Sequence, residues 1–157
     1  DQAMLYCDRR LTWGETDTQA IAQVEDALRQ AGVDKFSVAM PEFARPAYTG
    51  RLYMQELYFP TWKIPANHPL VLGGTDAYRS LFGTDPVVDK WTFSTNGVAL
   101  CGRHQVPVIG FGPGDENQAH APNEITRVDD LQICAAWYAA LPYAVEAGNN
   151  TAPVARP

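Results

Sequence analysis

The spacing of apolar and polar positions changes period several times along the chain, and each change marks a candidate element. Met4 to Asp8 alternates in character, as a short strand does. Thr16-Asp17-Thr18-Gln19 fits a capping box, in which a hydroxyl and a Gln side chain satisfy N–H groups left free at a helix start. Behind it Ile21, Val24 and Leu28 fall on one helical face, with Ala20, Ala27 and Ala31 beside them, and Gly32 supplies a stop. Phe36, Val38 and Met40 return to a period of two, which predicts a half-buried strand over 35–40. A strand–helix–strand unit of this size cannot bury both its faces alone, so it reads as half of a small α+β sandwich.

From Pro41 to Pro65 the pattern dissolves into proline-punctuated, aromatic sequence centred on Arg45-Pro46-Ala47-Tyr48-Thr49-Gly50, the texture of a link between domains. His68-Pro69 then opens a second helix, because proline suits the first helical position, and the helix is expected to reach Gly83 despite Gly73-Gly74 in its middle. Val87–Phe93 reads as a strand, Gly97–Arg103 as a short helix, and Val106–Phe111 as an apolar strand that runs into Gly112-Pro113-Gly114. A last helix opens near Thr126, with Leu131, Cys134, Ala135 and Tyr138 on one face, and ends at Pro142. Strands alternating with helices predict an α/β fold with an open sheet, where ligands gather beyond the strand ends.

Composition narrows the classes. Of 157 residues, 46% are hydrophobic and 19% charged, which suits a packed chain rather than a disordered one. A net charge of −6 gives no attraction for nucleic acid or anionic membranes, and no apolar run approaches bilayer length. The opening DQAMLYCDRR lacks the basic leader, apolar stretch and cleavage motif of a signal peptide. Cys7, Cys101 and Cys134 are far apart and show no CxxC spacing, which argues for free thiols in a reduced, cytoplasmic setting. Asn149-Asn150-Thr151 matches a glycosylation acceptor, a pattern short enough to arise by chance.

The chemistry concentrates in Gly110–Glu124, between an apolar strand and a capped helix. His120 stands between Ala119 and Ala121, so nothing bulky shields its imidazole, and Glu124 is a nearby carboxylate able to orient it. A lone loop histidine is by itself more often a surface or hydrogen-bonded residue than a metal ligand. Asp129 and Asp130 fall in the first turn of the last helix, where acidic side chains favour the dipole, and Asp115-Glu116 is read as structural. Arg103-His104 is read as a cap to the short helix, Arg9 and Arg10 as strand-end ion-pair partners of Asp8.

Three blocks together resemble a known family: Asp8-Arg9-Arg10-Leu11-Thr12-Trp13-Gly14-Glu15, Trp91-Thr92-Phe93-Ser94-Thr95-Asn96-Gly97, and the stretch ending His120-Ala121-Pro122-Asn123-Glu124. They are similar to the zinc peptidases of the aminoacylase, carboxypeptidase G and succinyl-diaminopimelate desuccinylase family, closest to its selenium-metabolism-linked hydrolase subgroup. The resemblance covers about Met4 to Leu141. It implies a three-layer αβα zinc-hydrolase domain with an inserted ferredoxin-like lid that also makes a homodimer. On that pattern 1–40 is the second half of the lid, 41–65 the return to the catalytic domain, 66–145 its C-terminal section, and 146–157 a disordered tail. The resemblance also implies an active site with two Zn2+ (Co2+ or Mn2+ as alternatives) that hydrolyses the amide bond of a small acyl-amino acid or peptide-like substrate through a metal-activated water. His120 matches the family's final metal ligand; Ser94, Thr95 and Asn96 with Gly112 and Gly114 would line the substrate end.

The same pattern implies a histidine and an aspartate two residues apart, a bridging aspartate, a pair of adjacent glutamates and a lid histidine. None of these motifs stands in this sequence, and the other histidines, His68 and His104, lie in no such spacing. One histidine cannot hold a catalytic zinc, which normally takes three protein ligands. The chain is therefore expected to be inactive alone and to need the remainder of a parent enzyme or a companion chain. A non-catalytic binding or assembly module of the same descent is the alternative.

Overall fold

The structure is a computed structural model and describes residues 2–151. Its first helix, α1 (Asp17–Gln30), begins where the capping box sits: Thr16 Oγ1 accepts from Gln19 N–H at 3.2 Å, and Gln19 Oε1 accepts from Thr16 N–H at 3.0 Å. Ala20 is buried and Ile21, Val24 and Leu28 are half-buried, so the expected face is the one that packs. Just before it, the Glu15 carboxylate accepts from the Thr12 backbone N–H at 2.6 Å, from its hydroxyl, and from Arg9. The Thr12 backbone bond, then its hydroxyl, holds that carboxyl below the usual range.

The expected link is partly ordered. Two short strands, β1 (Glu42–Phe43) and β2 (Gln55–Glu56), pair antiparallel, with Glu42 opposite Glu56 and Phe43 opposite Gln55. A bridge between Pro46 and Leu52 continues the hairpin towards a tip at Ala47–Gly50. There Gly50 takes φ of 79°, a left-handed turn that only glycine enters freely.

The packed part of the chain is the pair α2 (Pro69–Phe82) and α3 (Val128–Thr151). The His68 ring caps α2, its Nδ1 accepting from Leu70 N–H at 3.1 Å, and Gly83 closes the helix as expected. Gly73 and Gly74, costly for helix propensity, are there for the crossing. A Cβ on Gly73 would lie 2.5 Å from Val145 Cγ2, and one on Gly74 would lie 2.9 Å from Ile109 Cδ1. Trp137 fills the seam and donates its indole N–H to the Gly74 carbonyl at 2.9 Å. Phe111 stacks between Tyr78 and Trp137, with centroids 5.9 and 4.7 Å away. Val71, Ala77, Cys134 and Trp137 are buried here.

Three expectations are corrected. The segments Met4–Asp8, Lys35–Met40, Val87–Phe93 and Val106–Phe111 form no sheet, so the α/β reading reduces, among the described residues, to a mostly helical chain with one two-stranded sheet. A strand needs a neighbour for its N–H and C=O groups, and these segments meet none. The half-burial of Phe36, Val38 and Met40 against exposed Lys35, Ser37 and Ala39 nevertheless keeps the period of two. Helix α3 continues through Pro142, past position 146 where a tail was expected, because Val145 seats on Gly73; residues 152–157 lie outside the described residues. Its buried face is Cys134 and Trp137, whereas Leu131 and Tyr138 are half exposed. No helix among the described residues is long and apolar enough to cross a membrane.

Candidate functional site

The loop after Phe111 is built from its own short side chains. Asp115 Oδ1 accepts from the Asn117 backbone N–H and from its amide, each at 2.9 Å, which starts the single 3-10 turn Glu116–Gln118. Those bonds hold the Asp115 carboxyl below its ordinary value, the Asn117 backbone contributing most. The chain then turns left-handed at His120 (φ 63°) and again at Asn123 (φ 61°), a region that Asn and His enter more readily than most residues. Glu124 Oε2 accepts from the His120 backbone N–H at 3.2 Å, so it meets His120 through the main chain rather than through the ring.

The imidazole is exposed, lies edge-on to Phe93 at 5.7 Å between centroids, and makes no hydrogen bond among the described residues. A ring with free nitrogens between two alanines fits one coordination position of a zinc ion. It fits no more than one: among the described residues no three of His, Cys, Asp and Glu gather closely enough to hold a metal. His68 is committed to its helix cap, and His104 ends the π-helical turn Val98–Arg103.

Two open clefts divide the residues expected at the substrate end. One, of about 390 Å³, is lined by Ser94, Thr95 and Asn96 together with Gln55, Phe59 and Arg103. The other, of about 280 Å³, is lined by Gly112 and Gly114 with Tyr78, Phe111, Asp130 and Cys134. His120 lines neither. Burial, reinforced by the charge of Asp130, raises the Cys134 thiol above its usual range, which keeps it protonated and unreactive.

Two residues acquire contacts that the sequence reading did not give them. Arg103 donates to the Tyr58 carbonyl at 2.5 Å, tying the π-helical turn to the link while its side chain walls the first cleft. Glu116 Oε1 accepts from the Thr92 backbone N–H at 2.6 Å, across 24 residues. Both partners are main-chain atoms remote in sequence, and no residue pattern signals such a bond.

The model of peptidase family M20/M25/M40 matches residues 51–144. Uncharacterized protein YgeY of Escherichia coli (strain K12) is 52% identical over 142 residues, covering 90% of this chain and 35% of that protein. Its counterpart in Escherichia coli O157:H7 matches to the same extent. N-formyl-4-amino-5-aminomethyl-2-methylpyrimidine deformylase of Bacillus subtilis (strain 168) is 25% identical over 135 residues, covering 83% of this chain and 31% of that protein. The chain thus spans about a third of the length of the curated relatives it matches. No solved structure matches it. The matched residues take in both clefts and the whole His120 loop, and the chain belongs to peptidase family M20/M25/M40.

Proposed function

We propose that this chain supplies one section of a dizinc amide hydrolase, with His120 holding one of the metals. The carrying observation is that the family match spans a loop presenting an imidazole whose ring nitrogens make no hydrogen bond among the described residues. When bound, a metal pair supplies a nucleophilic water and polarises the scissile carbonyl. The chain's own part is to hold a metal at His120 and to receive substrate along the clefts. Ser94, Thr95 and Asn96 offer short polar groups in one cleft, and Gly112 and Gly114 line the other without side chains to block a substrate. The base glutamate and the remaining ligands come from outside these 157 residues. Amide cleavage is in keeping with the Bacillus relative, whose name is that of an N-formyl deformylase.

Surface area supports a larger assembly. The chain exposes 12849 Å², whereas a compact monomer of 17.3 kDa exposes about 7,800 Å². Val87 at 91% exposure and Leu5 at 85% lie on segments that form no sheet among the described residues. In this reading those segments complete sheets with strands of the remaining polypeptide. Residues 1–40 form half of a dimerising lid, 41–65 return to the catalytic domain, 66–145 complete it, and the free thiols suit a cytoplasmic setting.

The test is metal counting on the assembled protein, with hydrolysis of a panel of N-acyl-amino acids and dipeptides. His120→Ala is expected to lose about one metal equivalent and essentially all hydrolysis, as removal of a direct ligand should. Unchanged metal content with full activity overturns the proposal. An assembly that binds its partner but never takes up metal favours the binding-module alternative.

A further inference from the structure

We infer that Glu116 is a positioning residue for the His120 imidazole, an inference that rests on the metal-holding role proposed for His120. A metal-binding imidazole is ordinarily oriented by a hydrogen bond on its second nitrogen. His120 has no such bond among the described residues, so its ring is oriented by its main chain and by the Phe93 edge contact. Phe93 is therefore the wall of the site, and the wall must itself be fixed. Thr92, its neighbour, donates its backbone N–H to Glu116 Oε1 at 2.6 Å, and Glu116 lies four residues before His120 on the same loop.

The chain thus closes a small ring of contacts: Glu116 to Thr92, Thr92 to Phe93 through the backbone, Phe93 to His120, and His120 back to Glu116 through one 3-10 turn. Glu124 supports the far side by accepting the His120 N–H. The left-handed backbone at His120 is one that a non-glycine residue keeps only where its surroundings fix it. Glu116 has no cationic partner among the described residues, so its carboxylate serves this main-chain contact and not an ion pair.

Reach, not charge, is what the geometry demands of position 116, and this sets the experiment. In the assembled holoprotein, Zn2+ affinity is read by competition with a chromogenic chelator for Glu116→Gln, Glu116→Asp and Glu116→Ala, and amide exchange is followed at Thr92. Glu116→Gln keeps an oxygen at the same reach and is expected to bind Zn2+ as the parent does, with Thr92 still protected. Glu116→Asp keeps the charge but falls one methylene short. It is expected to weaken Zn2+ binding about 10–100-fold, as Glu116→Ala does, with Thr92 exchanging faster. Should the alanine variant fail to fold, the Asp and Gln pair decides. The inference is overturned if Glu116→Asp binds like the parent, or if Glu116→Gln is as weak as Glu116→Ala. His120→Ala separates the two levels. If it keeps the parent's affinity, the proposed function fails; if it loses metal while Glu116→Asp does not, only the positioning role fails.

Discussion

The two helical regions of the chain are held by different means. Helix α1 stands on local interactions: a reciprocal cap at Thr16 and Gln19, Arg29 paired with Glu25 and Asp26, and one buried side chain, Ala20. Helices α2 and α3 stand on each other, through Gly73 against Val145, Trp137 bonded to the Gly74 carbonyl, and Phe111 wedged into the seam. Capping and exposed ion pairs each contribute little, whereas a filled aromatic seam contributes several kcal/mol. Cooperativity therefore resides in the α2–α3 seam. The α2–α3 pair should unfold as a unit, and α1 should open locally at much lower cost.

That contrast can be broken hardest at its strongest point. Trp137→Ala removes the seam filler and its indole hydrogen bond to the Gly74 carbonyl, with an expected loss of about 3–5 kcal/mol in denaturant unfolding. A loss below 1 kcal/mol would mean that the seam does not hold the pair. Next comes Gly73→Ala: a methyl 2.9 Å from the Val145 Cα must push the helices apart, at an expected cost of about 1–3 kcal/mol. Stabilisation instead, through better helix propensity, would show that the crossing can widen freely. The smallest effect is expected in the other region. Thr16→Ala removes one half of the capping box and should cost α1 about 1 kcal/mol, read as faster amide exchange in its first turn. The same variant should leave exchange in α2 and α3 untouched; coupled loss there would dissolve the distinction between the regions.

The same division explains what the sequence made legible. Thr16 with Gln19, His68 with Pro69, and Gly83 act on atoms a few residues away, so their residue types disclose them. Strands require partners, and the alternation at Phe36, Val38 and Met40 appears in burial without a ladder beside it. The face of α3 is set by Phe111 and Gly74, far away in the chain, which is why Trp137 takes the place expected of Ala135 and Tyr138. Pro142 marks a helix end by its own chemistry, yet the contact of Val145 with Gly73 carries the helix on. At the candidate site, the exposure of His120 on its loop agrees with its small neighbours Ala119 and Ala121. The bond from Glu116 to Thr92 was not legible, because one partner is a main-chain N–H that any residue but proline offers.

Trp137 has an optical consequence. It is 4% exposed and ringed by Phe111 and Tyr138, while Trp13 is 65% and Trp91 44% exposed. Its indole should therefore emit on the blue side of the spectrum and escape a water-borne quencher that silences the exposed Trp13 and Trp91, with the half-buried Trp62, replaced by Phe, removed from the signal. The molecule carries its own lamp at the α2–α3 seam, by which docking of that pair can be followed without a label.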